Sequence, residues 1–236
     1  MSGDHVTAPP RAVPVPGPVA APVAGLYGKL PARGDFIERR LSDAFVDRWD
    51  RFLAEGLRAS EAMLGPDFTD RYLVSPFWRF ALAPGIAGDG AVAGVFAPSV
   101  DRAGRYFPLT VAVDYGAGVA ALAALTAAEG WTPFAEQLIF DALSPDGTFE
   151  ALDDGVASLA VTPPVTVTTV PGSGRMVATA SLAEALVALA PPESPSVLFW
   201  TLGSVDLPPR LISFGELPPA AGFAGFLDGV WEGERI

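Results

Sequence analysis

The sequence predicts an α/β fold: a layered αβα sandwich with a mixed central sheet in a single domain. Three observations carry this. Short β-branched or aromatic runs bounded by Pro, Gly and Asp recur at Trp78–Leu82, Val92–Ala97, Leu109–Tyr115, Val197–Leu202 and Arg210–Phe214. Apolar stripes at helical spacing lie between and around them. Half of the 236 residues are hydrophobic and none is cysteine, so the core must hold without disulfides or thiolate metal sites.

Taken in order, residues 1–23 read as a disordered Pro/Ala-rich arm, because six prolines forbid helix and ladder pairing. Residues 24–236 then form the domain. Leu26–Leu30 is a short strand running into the polar turn Pro31-Ala32-Arg33-Gly34-Asp35. Ser42 is a good N-cap, Asp43 suits the first-turn dipole, and Phe45, Trp49, Phe52, Leu53 and Leu57 form one helical stripe that Gly65-Pro66 closes. Val119–Glu129 is an Ala/Leu-rich helix. Thr132 caps the next one, with Pro133 at its first position and Phe134, Leu138 and Phe140 through Leu143 as its stripe. Residues 148–160 form another helix, 163–174 a loop and Met176–Thr179 a short strand. Ser181 caps Leu182–Ala190. After the last two strands, Phe223, Phe226, Leu227 and Trp231 form a closing helical stripe.

Charge narrows the partners. Residues 1–110 carry twelve basic and twelve acidic side chains, whereas 111–236 carry three and fifteen, for a net charge of −12. Such a surface repels phosphate backbones and disfavours nucleic acid. The first twenty residues lack the basic-then-apolar pattern of a signal peptide, and Val119–Ala128 is far shorter than the ~20 residues of a membrane span. A cytoplasmic protein is the expectation.

The catalytic inventory is thin. The sole histidine, His5, sits in the arm, where it cannot be preorganised as a base or ligand. Asp153-Asp154 is an adjacent acidic pair whose side chains diverge on a helix, and it reads as surface rather than metal site. Gly116-Ala117-Gly118-Val119-Ala120-Ala121 matches G-x-G-x-x-A after a strand and before a helix, the context of a dinucleotide turn. Against that reading, Asp114 precedes it and Glu136 falls within a helix. Gly172-Ser173-Gly174 reads as a loop, and Arg33-Gly34-Asp35 as an integrin-type tripeptide only in an exported protein. No catalytic residue, metal site or cofactor is expected.

Two polar loops at strand ends hold the informative residues: 28–36 and 98–109. Lys29, Arg33 and Arg105 stand opposite Asp35 and Asp101 in charge, so a buried ion network is one reading. A recognition patch for a partner's acidic segment or backbone carbonyls is the other, and an ion network can shape such a face. Ser75-Pro76-Phe77-Trp78-Arg79-Phe80 adds a further arginine beside a tryptophan.

The run Gly25-Leu26-Tyr27-Gly28-Lys29-Leu30-Pro31-Ala32-Arg33-Gly34-Asp35-Phe36 resembles the opening of the TagF family of type VI secretion accessory proteins. Phe45…Trp49-Asp50, Ser75-Pro76…Trp78-Arg79-Phe80 and Pro98-Ser99-Val100-Asp101-Arg102-Ala103-Gly104-Arg105-Tyr106-Phe107-Pro108-Leu109 continue the match. Ser196–Thr201 and Gly222-Phe223…Phe226-Leu227…Trp231 complete it, with Phe199 where the family often has tryptophan. The likeness spans about residues 24–231, loosely over 116–190.

The resemblance implies a non-enzymatic, post-translational repressor of type VI secretion that acts by protein–protein binding. Secretion components are the implied partners, among them the forkhead-associated scaffold protein. Some relatives carry a fused serine/threonine phosphatase domain, whose Asp-rich metal signature is missing here. Lys29, Arg33, Asp35, Ser99, Asp101 and Arg105 are expected to shape the docking surface, and Trp49, Trp78 and Trp200 to pack the core. The alternatives are a nucleotide-dependent activity at Gly116–Ala121 and a permanent structural part of the apparatus.

Overall fold

A computed structural model describes residues 22–165, 167–170, 174–179, 181–190 and 196–231. The expectation of an arm falls almost wholly on residues 1–21, outside the described residues, as does Gly172-Ser173.

Seven strands form one sheet. β1 (Ala24–Gly28), β2 (Ile37–Arg39), β3 (Trp78–Leu82), β4 (Val92–Ala97), β5 (Leu109–Asp114), β8 (Val197–Thr201) and β9 (Arg210–Phe214) are ordered β2-β1-β5-β4-β3-β8-β9. Helices cover both faces, as the αβα reading expects. The sheet departs from the expectation in one respect: every pairing is antiparallel. β1–β2, β3–β4, β4–β5 and β8–β9 follow one another through loops too short for the crossover that parallel neighbours require. Register places Tyr27 opposite Thr110 and Ala97 opposite Leu109. The β1–β2 and β4–β5 loops therefore leave the same end of the sheet.

One face carries α1 (Asp43–Leu64), α2 (Phe68–Leu73) and α7 (Ala224–Asp228). Ser42 caps α1 by accepting a hydrogen bond from Phe45 N at 3.3 Å. The α1 stripe packs as the spacing predicts. Trp49 is fully buried, stacks 4.3 Å from Phe80, and donates Nε1–H to Thr110 Oγ1 at 3.0 Å. Trp78 likewise donates to the Phe226 carbonyl at 3.0 Å. Both indoles thus bury their rings and satisfy their only donor.

The other face carries α3 (Ala121–Ala128), α4 (Thr132–Ala142) and α5 (Phe149–Ala157), laid on Ala81, Ala93, Val95, Val111 and Val113. Thr148 caps α5. Trp131 Nε1 donates to Tyr115 Oη at 2.8 Å, and burial pushes that phenol up to about 12.

Several expected elements differ. On α4 the buried face is Ala135, Ile139 and Ala142, while Phe134 and Phe140 are exposed. A helix seated on an alanine-rich sheet turns its small side chains inward and leaves the rings outside. Trp131, not Thr132, takes the N-cap position of α4, with no side-chain cap. Gly65 ends α1 as its C-cap, as expected, but the chain does not leave the layer there: Gly65–Asp67 forms a 3₁₀ turn that leads into α2. The 163–174 loop contains β6 (Val167–Val170), which pairs with β7 (Gly174–Val177) as a separate hairpin. Ser181 caps α6 (Leu182–Leu189) as expected. The closing stripe divides between a 3₁₀ turn, Ala220–Phe223, and α7, and Trp231 lies beyond both.

Candidate docking site

The β1–β2 loop, 29–36, and the β4–β5 loop, 98–108, meet on a carboxylate. Asp101 Oδ2 accepts from Lys29 Nζ at 2.7 Å and from Arg105 Nε at 2.7 Å. Its Oδ1 accepts from the backbone N–H groups of Ala103 at 2.8 Å and Arg105 at 2.9 Å. Four donors converge on a side chain with no exposed surface. Burial alone would raise the Asp101 carboxyl. The hydrogen bonds from Lys29, Arg105 and the Ala103 backbone outweigh it and hold the group well below the usual carboxylate range. The tight turn that allows this needs Gly104, whose φ of 81° is unfavourable for other residues.

Further bonds fasten the loops. Ser99 Oγ donates to the Lys29 carbonyl at 2.8 Å. Arg102 N donates to the Arg33 carbonyl at 3.1 Å, and Arg105 Nη2 to the Gly34 carbonyl. From α2, Tyr72 Oη donates to the Ser99 carbonyl and accepts from its N–H, both at 2.9 Å. Burial raises that phenol's pKa.

The structure brings five of the six predicted residues into this lattice: Lys29, Asp101 and Ser99 at its buried centre, Arg105 at its edge, and Arg33 through its backbone. The Arg33 side chain turns outward to Glu150 of α5 at 2.5 Å. Asp35 stands apart: it is exposed, and no ion pair engages it among the described residues. Arg79 belongs elsewhere. It is buried on the α4 face, in a bidentate pair with Glu136 at 2.6 and 3.0 Å and 4.9 Å from the Trp200 ring.

Two clefts flank the β1–β2 loop, each of about 450 Å³. The one on the α1 side is lined by Phe36, Leu57, Phe68 and Phe107, with Arg58 and Arg105 among its charged residues. Phe36 packs edge-on to Phe107 at 4.8 Å and stacks on Tyr27 at 5.6 Å, yet keeps 47 % of its surface exposed. The other cleft lies toward α5 and is polar. Arg33 and Arg39 sit 5.1 and 4.8 Å from the Phe149 ring, and Arg40 pairs with Asp153 at 2.6 Å.

The sequence reading missed Phe36, Arg58 and Glu150 as parts of this surface. Asp50, Ala54, Arg58 and Glu61 do recur at 4-4-3 spacing on α1 beside its apolar stripe, and that was the available signal. Asp153 of the acidic pair is engaged by arginine, and no group of metal-binding side chains occurs among the described residues. At the glycine-rich turn the Gly116 N–H already donates to Asp114 Oδ1 at 2.7 Å. That one donor of the turn is therefore already taken by a carboxylate oxygen.

Fold and site together define a three-layer α/β domain whose two loops form one composite, internally bonded surface. The chain belongs to the TagF family: the profile of the TagF N-terminal domain, type VI secretion system-associated, matches residues 25–159. Its fold is similar to the crystal structure of PA0076 from Pseudomonas aeruginosa PAO1, solved at 2.05 Å, with 39 % sequence identity and a TM-score of 0.75. That likeness covers 90 % of this chain and 96 % of the other. Comparison with curated proteins gives no match. Among the described residues no helix is long and apolar enough to cross a membrane.

Proposed function

We propose that this protein is a cytoplasmic, non-enzymatic negative regulator of type VI secretion, which holds a component of the apparatus inactive by binding it. The observation that carries the reading is the Asp101 centre. It fixes two loops into one surface and leaves Asp35 and the Nη1 of Arg105 outside its hydrogen bonds, while the exposed Arg33 side chain pairs with Glu150 at the surface. Preorganised loops lose little conformational entropy on association, which favours recognition.

The same centre speaks for binding over catalysis. Lys29 and Asp101 neutralise one another, and a carboxyl held so low in pKa stays ionised at neutral pH and cannot act as a proton donor. The forkhead-associated scaffold protein is the proposed first partner. A specific interface of this kind buries roughly 1,200–2,000 Å² and is dominated by a few arginine or aromatic anchors.

The test is co-purification from cells that carry the full secretion system, using wild-type chain and the folded variants Arg33→Ala and Arg105→Ala. Capture of a secretion component that weakens in the variants is the expected result. Capture of none by the wild type, or turnover of a small substrate by the purified chain, would remove this reading. A permanent structural part would instead fractionate with the assembled apparatus at all times.

A further inference from the structure

We infer that the cleft on the α1 side of the β1–β2 loop takes a short extended segment of another protein, one apolar side chain beside a single carboxylate. This rests on the binding role proposed above and names the chemistry of what is bound. The argument begins with the walls. Phe68 and Phe107 are almost wholly buried behind the cleft, whereas Phe36 at its mouth keeps half its surface open. Ala54, half-buried, places only a methyl group on the α1 side, so there is depth for an incoming side chain. About 450 Å³ lies within the roughly 300–1,000 Å³ of sites that hold small ligands. One aromatic or large aliphatic side chain with its flanking backbone is of that scale.

Charge decides the rest. Five ionisable side chains other than tyrosine line the cleft: Lys29, Asp50, Arg58, Glu61 and Arg105. Three are already engaged, Arg105 only in part. Lys29 is paired with Asp101, and Asp50 Oδ1 accepts from Tyr27 Oη at 2.5 Å. Arg58 is exposed and makes no ion pair among the described residues. Arg105 is bound through Nε and Nη2 but keeps Nη1, and 59 % of its side chain is exposed. Arg58 and the Nη1 of Arg105 are thus the guanidinium donors left free at the rim of the cleft, and their planar forks suit a carboxylate. Glu61, one turn beyond Arg58 on the same helix, is also unpaired among the described residues and disfavours a second acid nearby. The rim therefore selects one carboxylate, not an acidic run.

The probe is a fluorescein-labelled heptapeptide with a central phenylalanine followed by one aspartate in a glycine–serine frame, read by fluorescence polarisation. Three control peptides replace the phenylalanine by serine, the aspartate by lysine, or the frame by glutamates. The inference predicts saturable binding of the probe. It also predicts at least a ~10-fold weaker Kd for each control, and for Arg58→Glu and Phe36→Ser chains whose circular dichroism and melting are unchanged. Binding that ignores Arg58→Glu, or that grows with added glutamates, would overturn it, as would no binding at millimolar peptide. Co-purification with the Arg58→Glu chain separates this inference from the broader role. Capture of a secretion component that persists while the probe fails sinks only the cleft; failure of wild-type capture sinks both.

Discussion

Against one face of the sheet, α1, α2 and α7 press large rings; against the other, α3, α4 and α5 press mainly methyl-bearing side chains. The aromatic side includes Phe45, Trp49, Phe80, Phe96, Phe199 and Phe226, and its indoles are aimed by hydrogen bonds to Thr110 and to the Phe226 carbonyl. The aliphatic side is built largely of Ala, Val, Leu and Ile. Ring contacts are directional, and those of Phe45, Trp49 and Phe52 with Phe80, Phe96 and Phe199 orient α1 against β3, β4 and β8. Small-residue packing sets distance more than direction. The rim it supports near α5 is accordingly defined by Arg33–Glu150 and Arg40–Asp153.

The largest effect should come from Trp49→Ala, at about 3–5 kcal/mol in denaturant unfolding, against roughly 2–4 for Ile139→Ala on the other face. Equal losses would remove the contrast. Next is Asp101→Asn, which leaves the Lys29 ammonium buried without its counter-charge and should cost about 3 kcal/mol at pH 7. The pH dependence follows from the sign of the shift. The folded pKa of Asp101 lies below its unfolded value of about 3.9, so the contribution is complete above pH ~4 and declines as pH falls further. Wild type should therefore lose stability below pH 4 more steeply than Asp101→Asn, as followed by acid titration of unfolding.

Two glycines sharpen the comparison at smaller scale. A Cβ at Gly56 of α1 would stand 2.3 Å from the buried Phe223 ring, whereas one at Gly155 of α5 would meet the tip of Leu138 at 2.5 Å. A packed ring cannot give way and a leucine methyl can. Gly56→Ala should cost about 1–3 kcal/mol, while Gly155→Ala should come within about 1 kcal/mol of neutral, helped by helix propensity. Thermal melts of the two variants distinguish them. The smallest effect is Arg33→Ala: its pair with Glu150 is solvent-exposed, and less than about 1 kcal/mol of stability is expected to follow.

Much of this contrast was readable beforehand, and unevenly so. The α1 stripe was legible because large rings at regular spacing have few other places to go. Phe134 and Phe140 followed the same logic and misled, since α4 sits on an alanine-bearing sheet that admits Ala135 and Ala142 more closely than it admits rings. The charges of Lys29, Arg33, Arg105, Asp35 and Asp101 suggested an ion network without naming its pairs; the matched strand ends join Lys29 to Asp101, 72 residues on, and Arg105 to the same carboxylate. Glu150, 117 residues from Arg33, was not legible, because only the docking of α5 beside β1 brings it near. The same holds for Arg58, which tertiary packing of α1 delivers to the cleft.

The most direct test of the central claim is a secretion-dependent killing assay in which the chain is overproduced as wild type or as folded Arg105→Ala. The account predicts that the wild type suppresses killing and that the variant, released from its partner in co-purification, suppresses it far less. A variant that no longer binds any secretion component yet represses as fully as the wild type would contradict it.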